Sequence, residues 1–244
     1  MKRRVASAEN AGPAVPGTAV VLEALFPGRC LVCGEWMPIP PKSRAPVCPD
    51  CAADLLPMVG RLCSRCGTPL VSEDGTCCRC RGTEFAFLGH RSLFPYSGTV
   101  RDLMAHYKIR GRRSLAFFFA PLLAGMLSSA YAGLDVVPVP PRPHKGRRDG
   151  VERIARILER RHGVRVRRVL RRTEGAAQKT LDFAARQRNL EGRIRVLAGI
   201  GALPESIVLM DDVFTTGATM DACARALLSA GVRTVYAASI AIDL

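Results

Sequence analysis

Apolar positions in the second half of the chain follow two alternating periods. Short β-branched or aliphatic runs read as strands: DVVPVP at 135–140, VRVRRVLRR at 164–172, SIVLMDD at 206–212 and TVYAASIAI at 234–242. The stretches between them carry helical spacing. VERIARILERRHG at 151–163 predicts a helix closed by Gly163, a second helix holds Arg186 to Leu190, and TGATMDACARALLSAG at 216–231 predicts a third with Gly231 at its C-cap. Upstream, GTVRDLMAHYKIRG at 98–111 reads as a helix, and Phe85 to Tyr96 holds a strand or two leading into it. Strands alternating with helices predict an α/β fold, a parallel sheet flanked by helices on both faces.

The segment Ser114 to Leu134 has no charged residue for 21 positions, enough to span a bilayer. Yet Leu115, Phe118, Phe119, Leu122, Met126 and Leu127 recur at helical spacing, and the opposite side is mostly Ala, Gly and Ser. That pattern predicts a helix packed tightly on the sheet. Basic sequence on both sides gives no orientation signal for a membrane span. The N-terminus starts basic, but Glu9, Asn10 and Glu23 interrupt any apolar core. It reads as a disordered tail over 1–20 followed by a short amphipathic helix, not as a secretion signal, so a cytoplasmic protein is expected.

Cysteine usage adds a separate module. Nine of the ten cysteines fall between Cys30 and Cys80, in four Cys-x2-Cys pairs: Cys30/Cys33, Cys48/Cys51, Cys63/Cys66 and Cys77/Cys80. A two-residue gap lets one tight turn aim two thiolates at one metal, and two such turns complete the tetrahedron zinc prefers. Four pairs predict two zinc sites with no open position, hence structural ones. Pairing by sequence neighbours is simplest, and an interleaved arrangement stays open. Gly34 and Gly67, directly after their turns, are expected where backbone N–H groups turn toward sulfur. A disulfide scaffold fits poorly with the missing secretion signal. Cys78 is too close to Cys80 to form a normal turn with it, and Cys223 reads as a small core residue. Residues 22–82 form the expected metal-stapled module, too poor in apolar residues to fold without zinc, and 85–244 the α/β domain.

Charge sharpens the question of partners. The formal net charge is +15 over 244 residues, and Arg142 to Arg172 contributes 13 Lys/Arg against 3 Asp/Glu, a local +10. Such a field favours phosphates, free or polymeric, and its bland alternative is a solvated Arg-rich helix face.

The most specific chemistry lies at 207–219, IVLMDDVFTTGAT. In a parallel sheet, ligands sit at the carboxyl ends of the strands. A strand over Ile207–Met210 would end at Asp211 and Asp212. Thr215, Thr216, Gly217, Ala218 and Thr219 then turn into a helix whose start offers free N–H groups, hydroxyls and the positive end of a dipole, a cradle for phosphate. Two carboxylates beside an anion cradle would repel a bare phosphate, but they suit the hydroxyls of a sugar. Phosphate plus a vicinal diol indicates a ribose 5-phosphate. Burial of those acids in an ion pair, or closure of the turn by a neighbouring segment, would undo that assignment. The plainer alternative is an N-terminal helix turn capped by acids.

This stretch resembles the signature of type I phosphoribosyltransferases, which bind phosphoribosyl pyrophosphate. Together with the cysteine pairs, the chain resembles the ComF family, a double zinc ribbon fused to such a domain. FPGRCLVCG at 26–34, Tyr96 and Lys108 in YSGTVRDLMAHYKIRG, DVVPVPPRP at 135–143, and Gln178, Arg186 and Asn189 in QKTLDFAARQRNLEG carry the likeness from about residue 20 onward. The resemblance implies a type I phosphoribosyltransferase-like sheet behind an N-terminal double zinc ribbon, with two structural Zn2+ and Mg2+ accompanying phosphoribosyl pyrophosphate (PRPP). It implies the 5-phosphate on Thr215–Thr219 and the ribose hydroxyls on Asp211 and Asp212. It further implies the pyrophosphate on the loop Pro140-Pro141-Arg142, with Lys108 and Lys145. The family commonly follows its Val-Pro strand with an Arg-Gly-Phe-Asn-Gln-like sequence. Here KGRRDGVERIAR stands in that place, so the amides are missing and Arg147 and Arg148 offer cations instead. No general base stands out, although His106 and His144 lie near the site segments. The implied role is phosphoribosyl transfer to an acceptor, linked to competence and incoming single-stranded DNA. The alternatives are a single-stranded nucleic-acid binder using the fold as a ligand sensor, and an adaptor whose ribbons bind another protein.

Overall fold

The computed structural model describes residues 28–37, 46–55, 57–143, 149–173 and 192–243. The expected tail and its following helix, the segment with Gln178, Arg186 and Asn189, and His144, Lys145, Arg147 and Arg148 lie outside those residues.

Four strands form one sheet: β3 (His90–Pro95), β4 (Asp135–Pro138), β7 (Ser206–Phe214) and β8 (Thr234–Ile242), in the order β3-β8-β7-β4, with every neighbouring pair parallel. The central strands are near-continuous apolar runs because both faces are covered. Ile207, Val208, Leu209 and Met210 are all buried. Alternate residues serve opposite faces. Val136, Val208, Met210 and Ala238 join one apolar cluster with α3 (Gly98–Lys108), α4 (Leu115–Ala130) and α5 (Gly150–His162). Val137, Ile207, Leu209 and Ala237 join the other, with α6 (Ala218–Ser229) and the antiparallel ribbon of β5 (Leu170–Arg172) and β6 (Ile194–Val196). Small elements complete the N-terminal part: β1 (Gly28–Arg29), β2 (Trp36–Met37), α1 (Pro49–Ala53) and α2 (Cys78–Arg81).

Helix ends follow the local chemistry. Asp149 Oδ1 caps α5 by accepting from Val151 N at 2.9 Å and Glu152 N at 3.4 Å, and Gly163 ends it in the left-handed region at φ 66°. α6 stops at Ser229, two residues short of Gly231.

Three expectations change. The apolar segment is a 16-residue helix, and no helix among the described residues is long and apolar enough to cross a membrane. Its buried side also differs from the expected stripe. α4 is wedged between sheet and neighbouring helices, so Ala116, Ala120 and Ala124 are buried with Leu115, Phe119, Leu123 and Leu127, while Leu122 is left 38% exposed. The run at 164–172 is a strand only over 170–172. Its front half lies beside β4 through one parallel bridge, Val136 with Val166. Buried Asp135 explains the detour, because both Arg165 and Arg167 donate to its carboxylate. Burial alone would raise that carboxyl's pKa, but the two guanidiniums hold it below the ordinary value. Third, β7 does not stop at Met210 but continues through both acids to Phe214.

The basic stretch is partly neutralised in place. Arg168 bonds Glu152 and Glu159, both at 3.0 Å, and Arg156 bonds Glu152 at 2.9 Å.

Candidate functional site

Cysteine ligands gather as two sets of four, Cys30/Cys33/Cys48/Cys51 and Cys63/Cys66/Cys77/Cys80, and the ligand atoms of each set lie within 4.8 Å of one another. Folding thus selects the pairing by sequence neighbours. A zinc–sulfur bond of about 2.3 Å sets tetrahedral S···S edges of about 3.8 Å. Cys33 Sγ and Cys48 Sγ are 3.9 Å apart, and Cys66 Sγ and Cys77 Sγ are 3.6 Å apart. Backbone donors orient the sulfurs: Val32 N and Cys48 N donate to Cys30 Sγ, both at 3.4 Å, and Cys77 N donates to Cys63 Sγ at 3.3 Å. The glycines act differently from expectation. Gly34 N and Gly67 N donate to the carbonyls of Cys30 and Cys63, closing each turn at positive φ, and leave the sulfurs to other amides.

Burial opposes the thiolates of Cys30 and Cys63, but the backbone donors outweigh it and bring each to about 6. Burial and neighbouring sulfurs push Cys80 up. Four thiolates share so small a volume only around a cation. The donor set and its geometry fit two structural zinc ions. Cys78 is exposed and outside both sets, and Cys223 is fully buried in α6.

The two sets are not equivalent. All four residues of the second are buried, whereas in the first only Cys30 is.

Beyond the sheet's middle, β7 overhangs. β4 ends at Pro138 opposite Met210, so Asp211 and Asp212 lie past its last residue, with β8 still paired on the other side through Asp211–Ser239 and Val213–Ala241. The acids are therefore uncovered by the end of β4 rather than by the end of their own strand. The turn Thr215–Gly217 then leads into α6. A shallow, solvent-open hollow is lined by Asp211 and Val213 through Met220. Thr215 is exposed, α6 starts at Ala218, whose amide donates to Thr216 Oγ1 at 3.4 Å, and Ala218, Thr219 and Met220 line the hollow. Gly217 stands at φ 80°, and a Cβ there would meet the Phe214 ring at 2.7 Å and the Phe85 ring at 2.8 Å. Only glycine lets the turn close so tightly.

Burial, then the neighbouring charge of Asp212, raises the Asp211 pKa well above the ordinary carboxylate value. Lys108, on α3, reaches Asp212 at 2.8 Å. The side chains of Lys108 and Asp212 are 33% and 20% exposed, so the pair lies open at the site's edge rather than sealed in the core. The turn is likewise open on its Thr215 side. Lys108 thus sits beside the acids, and Arg142 in the loop Pro140–Arg142 is exposed.

Arg172 escaped the sequence reading. It is partly buried, and burial and the charges of Arg142 and Arg193 lower its pKa, while Cys223 and Asp211 act in the other direction. Its signal was position alone: the last residue of a strand, directly before the polar loop. His106 Nδ1 is buried without a hydrogen-bond partner among the described residues.

Comparison with known proteins gives a consistent picture. Residues 21–81 match a family model described as a double zinc ribbon domain. The chain is 24% identical to competence protein ComFC of Streptococcus pneumoniae over 221 residues, 87% of this chain and 99% of that protein. It is 26% identical to competence protein ComFC of Bacillus subtilis over 195 residues, 76% of this chain and 79% of that one. The likeness to the ComF family carried by the motifs therefore holds along most of the chain.

Proposed function

We propose that the chain binds phosphoribosyl pyrophosphate at the overhang of β7 and transfers its phosphoribosyl group to an acceptor. The observation that carries this is the open hollow in which a glycine-closed threonine turn and a helix N-terminus adjoin two partly exposed acids. The 5-phosphate would accept hydrogen bonds from the amides and hydroxyls of Thr215–Thr219. Asp211 and Asp212 would accept from the 2- and 3-hydroxyls, which keeps two carboxylates useful beside an anion. The pyrophosphate would face Pro140-Pro141-Arg142, with Lys145 and Arg172 as further cations. Magnesium, when bound, would neutralise the leaving pyrophosphate. Lys108 would position Asp212 instead of holding phosphate. In this reading residues 22–82 are the metal-stapled unit and 85–244 the phosphoribosyl-binding one. The ComFC relatives support a role in competence and DNA uptake, and thiolate metal sites suit a reducing, cytoplasmic setting.

Calorimetry with phosphoribosyl pyrophosphate and magnesium tests the binding. The wild type should bind, and Asp211→Asn and Asp212→Asn should each weaken it at least tenfold. Unchanged affinity in both variants removes the ribose assignment. Pyrophosphate release across a panel of bases then separates turnover from mere sensing.

A second reading, single-stranded nucleic-acid binding, is favoured by one arrangement. Arg110, Arg112, Arg113 and Arg160 have no carboxylate partner among the described residues, and Arg161 lies over Phe117 at 4.9 Å, which brings the two ends of this basic surface together. Contacts to the nucleic-acid backbone there would make affinity fall steeply with salt. Affinity that stays flat from low to moderate salt excludes it.

A further inference from the structure

We infer that the metal in the second four-cysteine set, and not the one in the first, holds the threonine turn in its anion-binding shape. Four independent connections run from that set to the turn. His90 Nδ1 lies 2.7 Å from the carbonyl of Cys66, which can only accept, so Nδ1 carries the proton. The same imidazole is stacked on Phe214 with centroids 4.2 Å apart. Phe214 is the last residue of β7, and its ring edge fills the space where Gly217 lacks a Cβ. Phe85, a few residues beyond Cys80, closes Gly217 from the other side, and Ala86 N donates to buried Asp221 in the first turn of α6 at 2.6 Å. Arg79, next to Cys80, donates to the Asp243 carbonyl at 3.2 Å, and Asp243 N donates to Phe214 O at 2.8 Å. Finally, Cys63, Cys66, Cys77 and Cys80 belong to the same apolar cluster as Phe214, Ala218 and Met220.

Among the described residues the first set has no hydrogen-bonded or stacked connection to the turn, and its apolar cluster meets the hollow at Val213 alone. Cys30 packs in the cluster on the opposite face of the sheet, with Leu93 and the helices, and none of the described backbone hydrogen bonds from 28–55 reaches 211–221.

A physical consequence follows from burial. Without its cation, the second set would hold four crowded thiols inside the core, and the segments carrying Cys66, Arg79 and Phe85 would have to move apart. Phe85 touches the turn directly, Cys66 reaches it through His90, and Arg79 reaches it through Asp243. The coupling is reciprocal: whatever the metal adds to anion affinity, the anion adds to metal affinity. The ligand part of this inference rests on the anion seat proposed above, whereas the structural part does not.

Hydrogen exchange on the zinc-loaded full chain tests the structural part without any ligand. Cys80→Ser should speed exchange of the amides at 212–222 about tenfold or more, and Cys33→Ser should leave them unchanged. Equal effects of both variants, or no effect of Cys80→Ser, overturns the inference. Should Cys80→Ser lack native circular dichroism, His90→Phe serves instead: it keeps a ring against Phe214 and drops the bond to Cys66. It should retain two zinc ions per chain and still loosen the 212–222 amides several-fold; unchanged exchange there overturns the inference as well. In calorimetry with phosphoribosyl pyrophosphate and magnesium, Cys33→Ser should match the wild type and Cys80→Ser should bind about tenfold more weakly. A wild type that binds none sinks the ligand assignment, and exchange still decides the coupling.

Discussion

Replacing Asp211 by Asn should make the protein more stable while it weakens the proposed binding of phosphoribosyl pyrophosphate. The neighbouring charge of Asp212 raises the Asp211 pKa, and two unit charges about 6 Å apart repel by about 3 kcal/mol at an effective dielectric of about 20. Asn keeps the acceptor that Asp211 Oδ1 offers to Asp212 N at 2.8 Å, although a neutral acceptor is weaker by about 1 kcal/mol. Lost attraction to Lys108 takes back a similar amount, which leaves a gain of about 1 kcal/mol, in the range seen when a functional-site cost is relieved. For a chain of this size that is a rise of about 2–4 °C in Tm. Asp212→Asn should give no such gain, because it gives up the 2.8 Å pair with Lys108. The pH dependence is diagnostic. The folded-state pKa of Asp211 is raised, so its stabilising contribution is complete below the unfolded value near 4 and is lost as pH rises through the folded value. Asn carries no such dependence. The advantage of the variant should therefore be absent near pH 4 and grow toward neutral pH. Differential scanning calorimetry of the zinc-loaded proteins between pH 4 and 8 measures it. A lower Tm for Asp211→Asn at neutral pH, or a difference that does not vary with pH, would refute the reasoning.

Native protein should contain two zinc ions per chain by elemental analysis, and Cys66→Ser should leave one; a single ion in the wild type rejects the two-site geometry. Gly217→Ala forces an L side chain to φ 80° and sets a Cβ 2.7 Å from the Phe214 ring, so it should cost at least about 1–2 kcal/mol, read as a drop in Tm together with loss of anion binding. Asp135→Ala leaves two guanidiniums without their shared carboxylate. Because both arginines are partly exposed, the penalty should be about 2 kcal/mol rather than the 3–5 kcal/mol of a fully buried pair, visible in urea denaturation.

Much of this molecule was open to reading from local order. Two-residue gaps between cysteines announced two tetrahedral metal sites, because knuckle geometry needs nothing beyond its own few residues. The runs at 206–212 and 234–242 announced buried parallel strands, because only strands covered on both faces are apolar at every position. DDVFTTGAT announced a tight turn from two acids into a helix start, because a glycine among hydroxyl residues suits a close turn ahead of a helix. Three-dimensional packing decided the remainder. It chose neighbour pairing over interleaving for the cysteines and ended β4 at Pro138, so that acids lying within β7, not at its tip, became accessible. It gave Lys108 to Asp212, set Phe85 against Gly217, and stacked His90 of β3 on Phe214. Each of those contacts joins residues more than a dozen positions apart in the chain. Periodicity and spacing encode which face a residue presents; which distant segment meets that face is set only when the whole chain buries its apolar surface at once.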